Sequence, residues 1–198
     1  MARLALTDSD VEAFRRKTVR AATRLFAAHG YQSVTMRRIA TELGTSPMAP
    51  YRYFDNKAEI FAMVRAEAYR RFANDQEAAF RAAAEPLQRL LRMREAYVRF
   101  ALRHADEYRV MFELHQEPEG RYPRLAAESH RAFAALENAA RLAIEARVIE
   151  GEATTVAHLL WAGLHGIVSL HLAGKLTMGR ALDELLASPP VRFLVGAG

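Results

Sequence analysis

Seven histidines, no cysteine and an uneven spread of cationic side chains bound the chemistry open to this chain of 198 residues. His158 and His165 stand seven residues apart, on one face of any helix that holds both, while His104, His115, His130 and His171 are scattered. A zinc site would need tighter convergence and a spacing such as H-E-x-x-H, which is absent. Ser129 and His130 are sequence neighbours, a spacing that does not by itself activate a hydroxyl for hydrolysis. Without thiols there is neither a disulfide framework nor a thiolate metal site. No metal or cofactor is therefore expected.

The cations point to a different chemistry. Residues 1–57 carry ten Lys/Arg against five Asp/Glu, whereas the remainder carries eighteen of each, so the whole net charge of +5 lies in the first 57 residues. Such an excess would draw a phosphate backbone to that end of the chain.

The elements that must position those charges can be read from turn and cap residues. Thr7 with Asp10 forms a capping box for a first helix, with Leu6 and Val11 placed as a hydrophobic staple, and apolar positions from Val11 to Phe26 keep helical spacing up to Gly30. Thr35 caps a second helix whose apolar face is Ile39, Ala40 and Leu43, and Gly44 ends it. Ser46 and Pro47 then open a third helix as N-cap and first-turn proline. Two short helices joined by so few residues cross steeply, in the helix-turn-helix geometry whose second helix can enter the DNA major groove. Asp55 or Asn56, with Glu59, caps a fourth helix reaching about residue 83.

Alanine, leucine and arginine dominate the rest, with no strand-like alternation, and the reading is all-α. Helices are expected over 86–104, through Tyr108 to Leu114, over 124–150 with Gly151 as the stop, and over roughly 178–187. Residues 117–123, with two prolines and a glycine, form a loop. Residues 153–174 contain no Asp, Glu, Lys or Arg. Their three histidines, three glycines and three hydroxyls favour a helix shared between a core and a partner chain over a membrane span. The acidic N-terminus lacks the apolar run of a signal peptide, so a cytoplasmic protein is expected.

The run Ala22, Leu25-Phe26, Gly30, Val34-Thr35, Ile39-Ala40, Leu43-Gly44, Ser46, Tyr51, Tyr53-Phe54 and Lys57, ungapped between Arg16 and Phe61, resembles the tetracycline-repressor (TetR) family of bacterial transcription regulators. Trp161 with His165-Gly166, as W-x-x-x-H-G, resembles the regulatory domain of one subgroup. The resemblance implies a three-helix DNA-binding domain (1–57) and a helical ligand-binding and dimerisation domain (58–198). It implies a homodimer, paired through the helices at 124–150 and 153–174, that binds a palindromic double-stranded DNA operator as a repressor and is released by a small-molecule effector. A helical small-molecule enzyme and a nonspecific DNA-binding protein are the alternatives.

Carried over residue by residue, the family pattern makes Arg37 a reader of guanine through two hydrogen bonds. Pro47, Met48 and Ala49, without side-chain hydrogen-bonding groups, would read shape and the thymine methyl, and Arg52 would add a base or phosphate contact. Thr35, Ser46, Tyr51, Tyr53 and Lys57 fall to the DNA backbone. Pro50 departs from the pattern, which has a leucine or similar helix-former there. It lacks the N–H for the first intrahelical bond from Ser46, so the helix should start later or take 3₁₀ form. For the effector, Tyr97, Phe100, Met111, Phe112, His115, Trp161 and His165 offer aromatic walls with a few polar tips, and Trp161 and His165 share a helix face. Plain core packing is the competing reading of each.

Overall fold

The computed structural model describes residues 7–112 and 119–187. The Leu6 half of the staple, Leu114, His115 and the tail after Ala187 lie outside them. Among the described residues there are eight α-helices and no strand: α1 (Asp8–Ser33), α2 (Met36–Glu42), α3 (Lys57–Arg81), α4 (Pro86–Arg103), α5 (Ala105–Phe112), α6 (Pro123–Glu145), α7 (Ala153–Leu172) and α8 (Leu182–Ala187), with short 3₁₀ turns at Pro50–Arg52 and Glu119–Arg121. Two compact units result: residues 1–70 with 106–129, and residues 71–105 with 130–198. The partition therefore groups residues 58–70 and 106–129 with the N-terminal helices.

Local hydrogen-bond logic sets the ends of the elements in the first unit. The Thr7 and Asp10 side chains each take a backbone N–H of the other, closing the capping box of α1. Gly30 interrupts that helix with φ 73° and ψ 161°, a conformation that only glycine adopts without strain. Thr35 caps α2 by accepting from the Arg38 N–H at 3.1 Å. Gly44, at φ 67°, ends α2 with paired bonds from its own N–H to Thr41 O and from Thr45 N–H to Ala40 O, both 3.0 Å. Asn56 caps α3 through the Glu59 N–H, while the Glu59 carboxylate returns to the Asp55 N–H at 2.7 Å.

The core of this unit is an aromatic cluster in which Phe26, Tyr31 and Phe61 lie with ring centroids 4.9 to 5.9 Å apart. Around it pack Val34, Ile39 and Ile60, all fully buried. Arg109 of α5 donates to the Ala27 carbonyl of α1 at 3.2 Å. Among the described residues one cation is buried outright: Arg65 of α3, 1% exposed, pairs with Glu119, which also accepts from the Ser129 hydroxyl at 2.5 Å. Burial, with Glu119 adding to it and Arg65 opposing, pushes the neighbouring Tyr69 phenol up to about 12.

In the second unit Ala79, Met93, Ala96 and Ala139 form a buried cluster flanked by Phe80, Leu90 and Leu136. Here helix boundaries differ from expectation at α6 and α8. α6 stops at Glu145 rather than running to residue 150, because Arg147 takes the left-handed conformation (φ 57°) and its N–H and that of Val148 close the end on Ile144 O and Ala143 O. α8 is also shorter than expected, Leu182–Ala187. α7 is capped by Glu152, whose carboxylate accepts from the Thr154 and Thr155 N–H groups at 2.8 Å each.

These helix ends can be tested by substitution. No atom lies within 4 Å of a Cβ built at Gly30, so Gly30→Ala should cost about 1–3 kcal/mol from backbone conformation alone, read by urea denaturation. The Thr154 and Thr155 hydrogen bonds hold the Glu152 carboxyl at about 2, below its ordinary 4.5. A depressed carboxyl pKa stabilises the folded state above the unfolded value and loses that contribution as pH falls through the folded one. The stability difference between wild type and Glu152→Gln should therefore be constant above about pH 5 and shrink between about 4.5 and 2, in denaturation series across that range.

Candidate nucleic-acid interface

The exposed edge of the first unit is built from the start of α2 and the segment that follows it. Arg37 and Arg38 project from the solvent side of α2, opposite the buried Met36, Ile39 and Ala40. Arg38 is held 2.7 Å from the His29 ring, whereas the Arg37 side chain has no hydrogen-bond or ion-pair partner among the described residues. Lys17 of α1 donates to the Leu43 carbonyl at 3.3 Å, and Arg24 pairs with Glu42 at 3.2 Å, so part of the α1 charge fixes the end of α2.

The third helix expected from Ser46 does not form as an α-helix. Ser46 to Ala49 make a turn closed by the Ala49 N–H on Ser46 O at 2.9 Å, and Pro50–Arg52 continue it as a single 3₁₀ turn. Pro50 is the physical cause. Its nitrogen carries no hydrogen, so the bond back to Ser46 O that would start an α-helix cannot be made. The chain then relies on i to i−3 bonds, Arg52 N–H to Ala49 O at 3.2 Å and Tyr53 N–H to Pro50 O at 3.0 Å.

This compact turn still presents most of the residues singled out from the sequence. Met48 is 65% exposed and Tyr51 49%, and Thr35, Ser46, Pro47 and Arg52 are exposed with them. Ala49 is half-buried. Phe54 is buried, with the Arg15 guanidinium 4.8 Å over its ring. Tyr53 is half-buried, stacked on Phe14 of α1 at 4.2 Å. Lys57 is turned to the end of α1: its ammonium donates to Tyr31 O at 2.7 Å, reaches Gln32 O at 3.5 Å and sits 4.1 Å from the Tyr31 ring centroid. Partial burial lowers its pKa from the ordinary lysine value. The Thr35 hydroxyl is engaged in capping.

Four of the seven residues read as an effector pocket, Tyr97, Phe100, Trp161 and His165, belong to the second unit. In the second unit the Tyr97 hydroxyl lies 3.3 Å from His165 Nδ1, the Ser169 hydroxyl 3.4 Å from His165 Nε2, and the Trp161 and His165 ring centroids are 6.4 Å apart. Phe72 meets Tyr97 and Phe100 edge-on, and Phe133 packs near Trp161 and His158. Met111 and Phe112 belong to the first unit, where Phe112 meets Tyr69 and Tyr108. His115 falls outside the described residues. Sequence reading missed Phe72, Phe133 and Ser169 as members of this cluster. Each sits at ordinary helical core spacing, and only the spacing of Ser169 from His165, four residues, carried a signal.

Comparison with known proteins bears on both units. Residues 19–64 match the pattern described as "Bacterial regulatory proteins, tetR family", and residues 90–188 that described as "Tetracyclin repressor-like, C-terminal domain". A stretch of 48 residues is 40% identical to the HTH-type transcriptional repressor DrrR1 of Streptomyces coeruleorubidus, covering 24% of this chain and 18% of that protein. The match thus spans less than a fifth of that relative. Among solved structures, a protein of unknown function from Rhodococcus sp. RHA1 superposes with a TM-score of 0.74 at 25% identity, over 87% of this chain and 89% of that one. A TetR family transcriptional regulator, PfmR from Thermus thermophilus, superposes with a TM-score of 0.68 at 22% identity over 86% and 92%, a likeness of fold. With the C-terminal pattern covering half of the chain, the N-terminal one covering the helix-turn-helix and every described element helical, this chain belongs to the TetR family of bacterial regulatory proteins.

Proposed function

We propose that this chain is a cytoplasmic transcriptional repressor that binds an approximately palindromic DNA operator as a homodimer and is released by a small molecule. The observation that carries the reading is the exposed edge of Arg37, Met48, Tyr51 and Arg52, mounted on a buried aromatic core at the cationic end of the chain. Residues 1–57 read DNA and residues 58–198 pair the two copies and sense the effector. The repressor name of DrrR1, similar to this chain over 48 residues, supports the sign of the effect.

Arg37 reads a guanine, Arg52 a base or phosphate, and Pro47, Met48 and Ala49 meet base-pair edges through apolar contact. Thr35, Ser46 and Tyr51 contact phosphates. Lys57 and Tyr53 act by holding α3 and the recognition turn on α1, and Lys57 keeps one N–H beyond its two carbonyls for a phosphate. Dimerisation uses α6 and α7. Of the twenty residues of α7 only Ala157 and Val168 are buried, while Leu159 is 40% and Leu170 46% exposed on a helix with no formal charge. An apolar face of that extent marks an interaction surface, and a two-fold pair would set two reading edges on successive major grooves. That helix has the length and hydropathy of a membrane span, but its three histidines and the family it belongs to favour the partner chain. The effector occupies the apolar surroundings of Tyr97, Trp161 and His165, where the hydroxyl and imidazole supply orientation. Operator and effector then weaken each other by the same factor.

Arg37→Ala should relax discrimination at one base pair by roughly 1–3 kcal/mol, measured by competition between the operator and its single-base variants. Replacing half-site thymines by uracil should weaken wild type and leave Met48→Ala unaffected at the position Met48 touches. Equal losses for both proteins would remove Met48 from the interface. Leu159→Arg should convert the dimer to monomer in sedimentation and abolish operator binding with it. A dimer that survives this change and Leu170→Asp would exclude α7 as the pairing surface.

A further inference from the structure

Residues 58–198 are electrically balanced as a whole, yet α4 alone carries Arg89, Arg92, Arg94, Arg99 and Arg103 against Glu95. Arg89 donates to the Ala83 carbonyl at 3.0 Å and lies 4.4 Å over the Phe80 ring, and Arg92 pairs with Glu95 at 3.3 Å. The Arg99 and Arg103 side chains are both exposed and have no hydrogen-bond or ion-pair partner among the described residues. Four residues apart on a helix, they stand side by side on one face.

These two guanidinium groups form a ridge between two clefts of the second unit. The first, of about 630 Å³, lies between α3 and α4 over Ala78, Ala79, Ala82 and Phe100, with Asp75, Arg92, Glu95 and His104 at its rim. The second, of about 370 Å³, is walled by Val98, Leu102 and Leu186, with Arg94 and Glu95 at its rim. Leu102, 43% exposed, lies one residue from Arg103. Both volumes fall in the range of small-molecule sites, about 300–1,000 Å³.

A surface cation pair is ordinarily just solvated, but here it adjoins alkyl walls that gain nothing from water. A bare phosphate would leave those walls uncovered. An extended polyanion would also meet the carboxylates of Asp75 and Glu95 at the cleft rims. We propose that the Arg99–Arg103 ridge binds a single-chain amphiphile with an anionic head, a long-chain carboxylate or an alkyl phosphate monoester. The head accepts hydrogen bonds from both guanidinium groups, and the chain lies against Val98, Leu102 and Leu186. The wall of Val98, Leu102 and Leu186 shares no residue with the Tyr97, Trp161 and His165 cluster, and the proposal does not depend on the DNA-reading role.

The test is calorimetric titration of the full chain with dodecanoate and with dodecyl phosphate below micelle formation, with inorganic phosphate and dodecanol as controls. One saturable event per chain is expected for either or both amphiphiles, the pair of titrations distinguishing a carboxylate from a phosphate head. It should weaken about tenfold or more in the double variant Arg99→Gln, Arg103→Gln. It should also weaken in Leu102→Asp, while operator binding without ligand stays at the wild-type level in both variants. Inorganic phosphate and dodecanol should each bind far more weakly than the amphiphiles. Unchanged binding in the double variant, equal binding of dodecanol, or no binding of either amphiphile overturns the proposal. So does retention on phosphatidylglycerol vesicles without binding of either monomeric amphiphile, which would make the ridge a membrane contact.

Discussion

The exposed edge of the first unit rests on a clamp at the junction of α1 and α3, the contact of the Lys57 ammonium with the end of α1. Gly30 leaves the helical conformation, so the carbonyls of Tyr31 and Gln32 face outward near the start of α3, and Lys57 donates to both while lying on the Tyr31 ring. A cation on an aromatic face is worth about 0.5–2 kcal/mol, depending on its desolvation. The same ring packs against Phe26 and Phe61. One side chain thereby ties the beginning of α3 to the end of α1, with α2 and the recognition turn held between. The sequence resemblance points Lys57 at phosphate, and its geometry makes it first a structural clamp.

The segment from Ser46 to Arg52 shows how a single residue type reshapes a familiar element. Pro50 deletes the donor on which an α-helix from Ser46 would be built, and the segment becomes a turn followed by one 3₁₀ turn. Of the side chains that a longer helix would spread along its axis, Ser46, Pro47, Met48, Tyr51 and Arg52 stay exposed on this turn. The contacts that anchor this turn are hydrophobic and aromatic: Phe54 is buried under Arg15, and Tyr53 stacks on Phe14.

Much of this was legible in the sequence where the cause is local. Thr7, Thr35, Gly44, Asn56 and Pro86 each mark an element boundary through a hydrogen bond made, or forbidden, within four residues, and each boundary lies where that chemistry puts it. The 3₁₀ outcome at Pro50 was readable for the same reason. What escaped depends on distant partners. Nothing local marks Arg65 for burial, and its partner Glu119 lies 54 positions away. The end of α6 at Arg147 rests on a left-handed arginine, which composition does not announce. Of the residues read as an effector pocket, Tyr97, Trp161 and His165 come together, but helical spacing alone could not name Phe72 and Phe133 as their neighbours.

The stretch Pro47-Met48-Ala49 brings carbon and sulfur, and no side-chain donor, to the exposed turn. Under the proposed reading, base pairs opposite it are sensed by their C5 methyl groups and not by the exocyclic group at C4, where thymine and cytosine differ. A cytosine methylated at C5 would offer that surface nearly the same outline as thymine. The chemical history of the operator, and not only its base order, would then enter what the protein recognises.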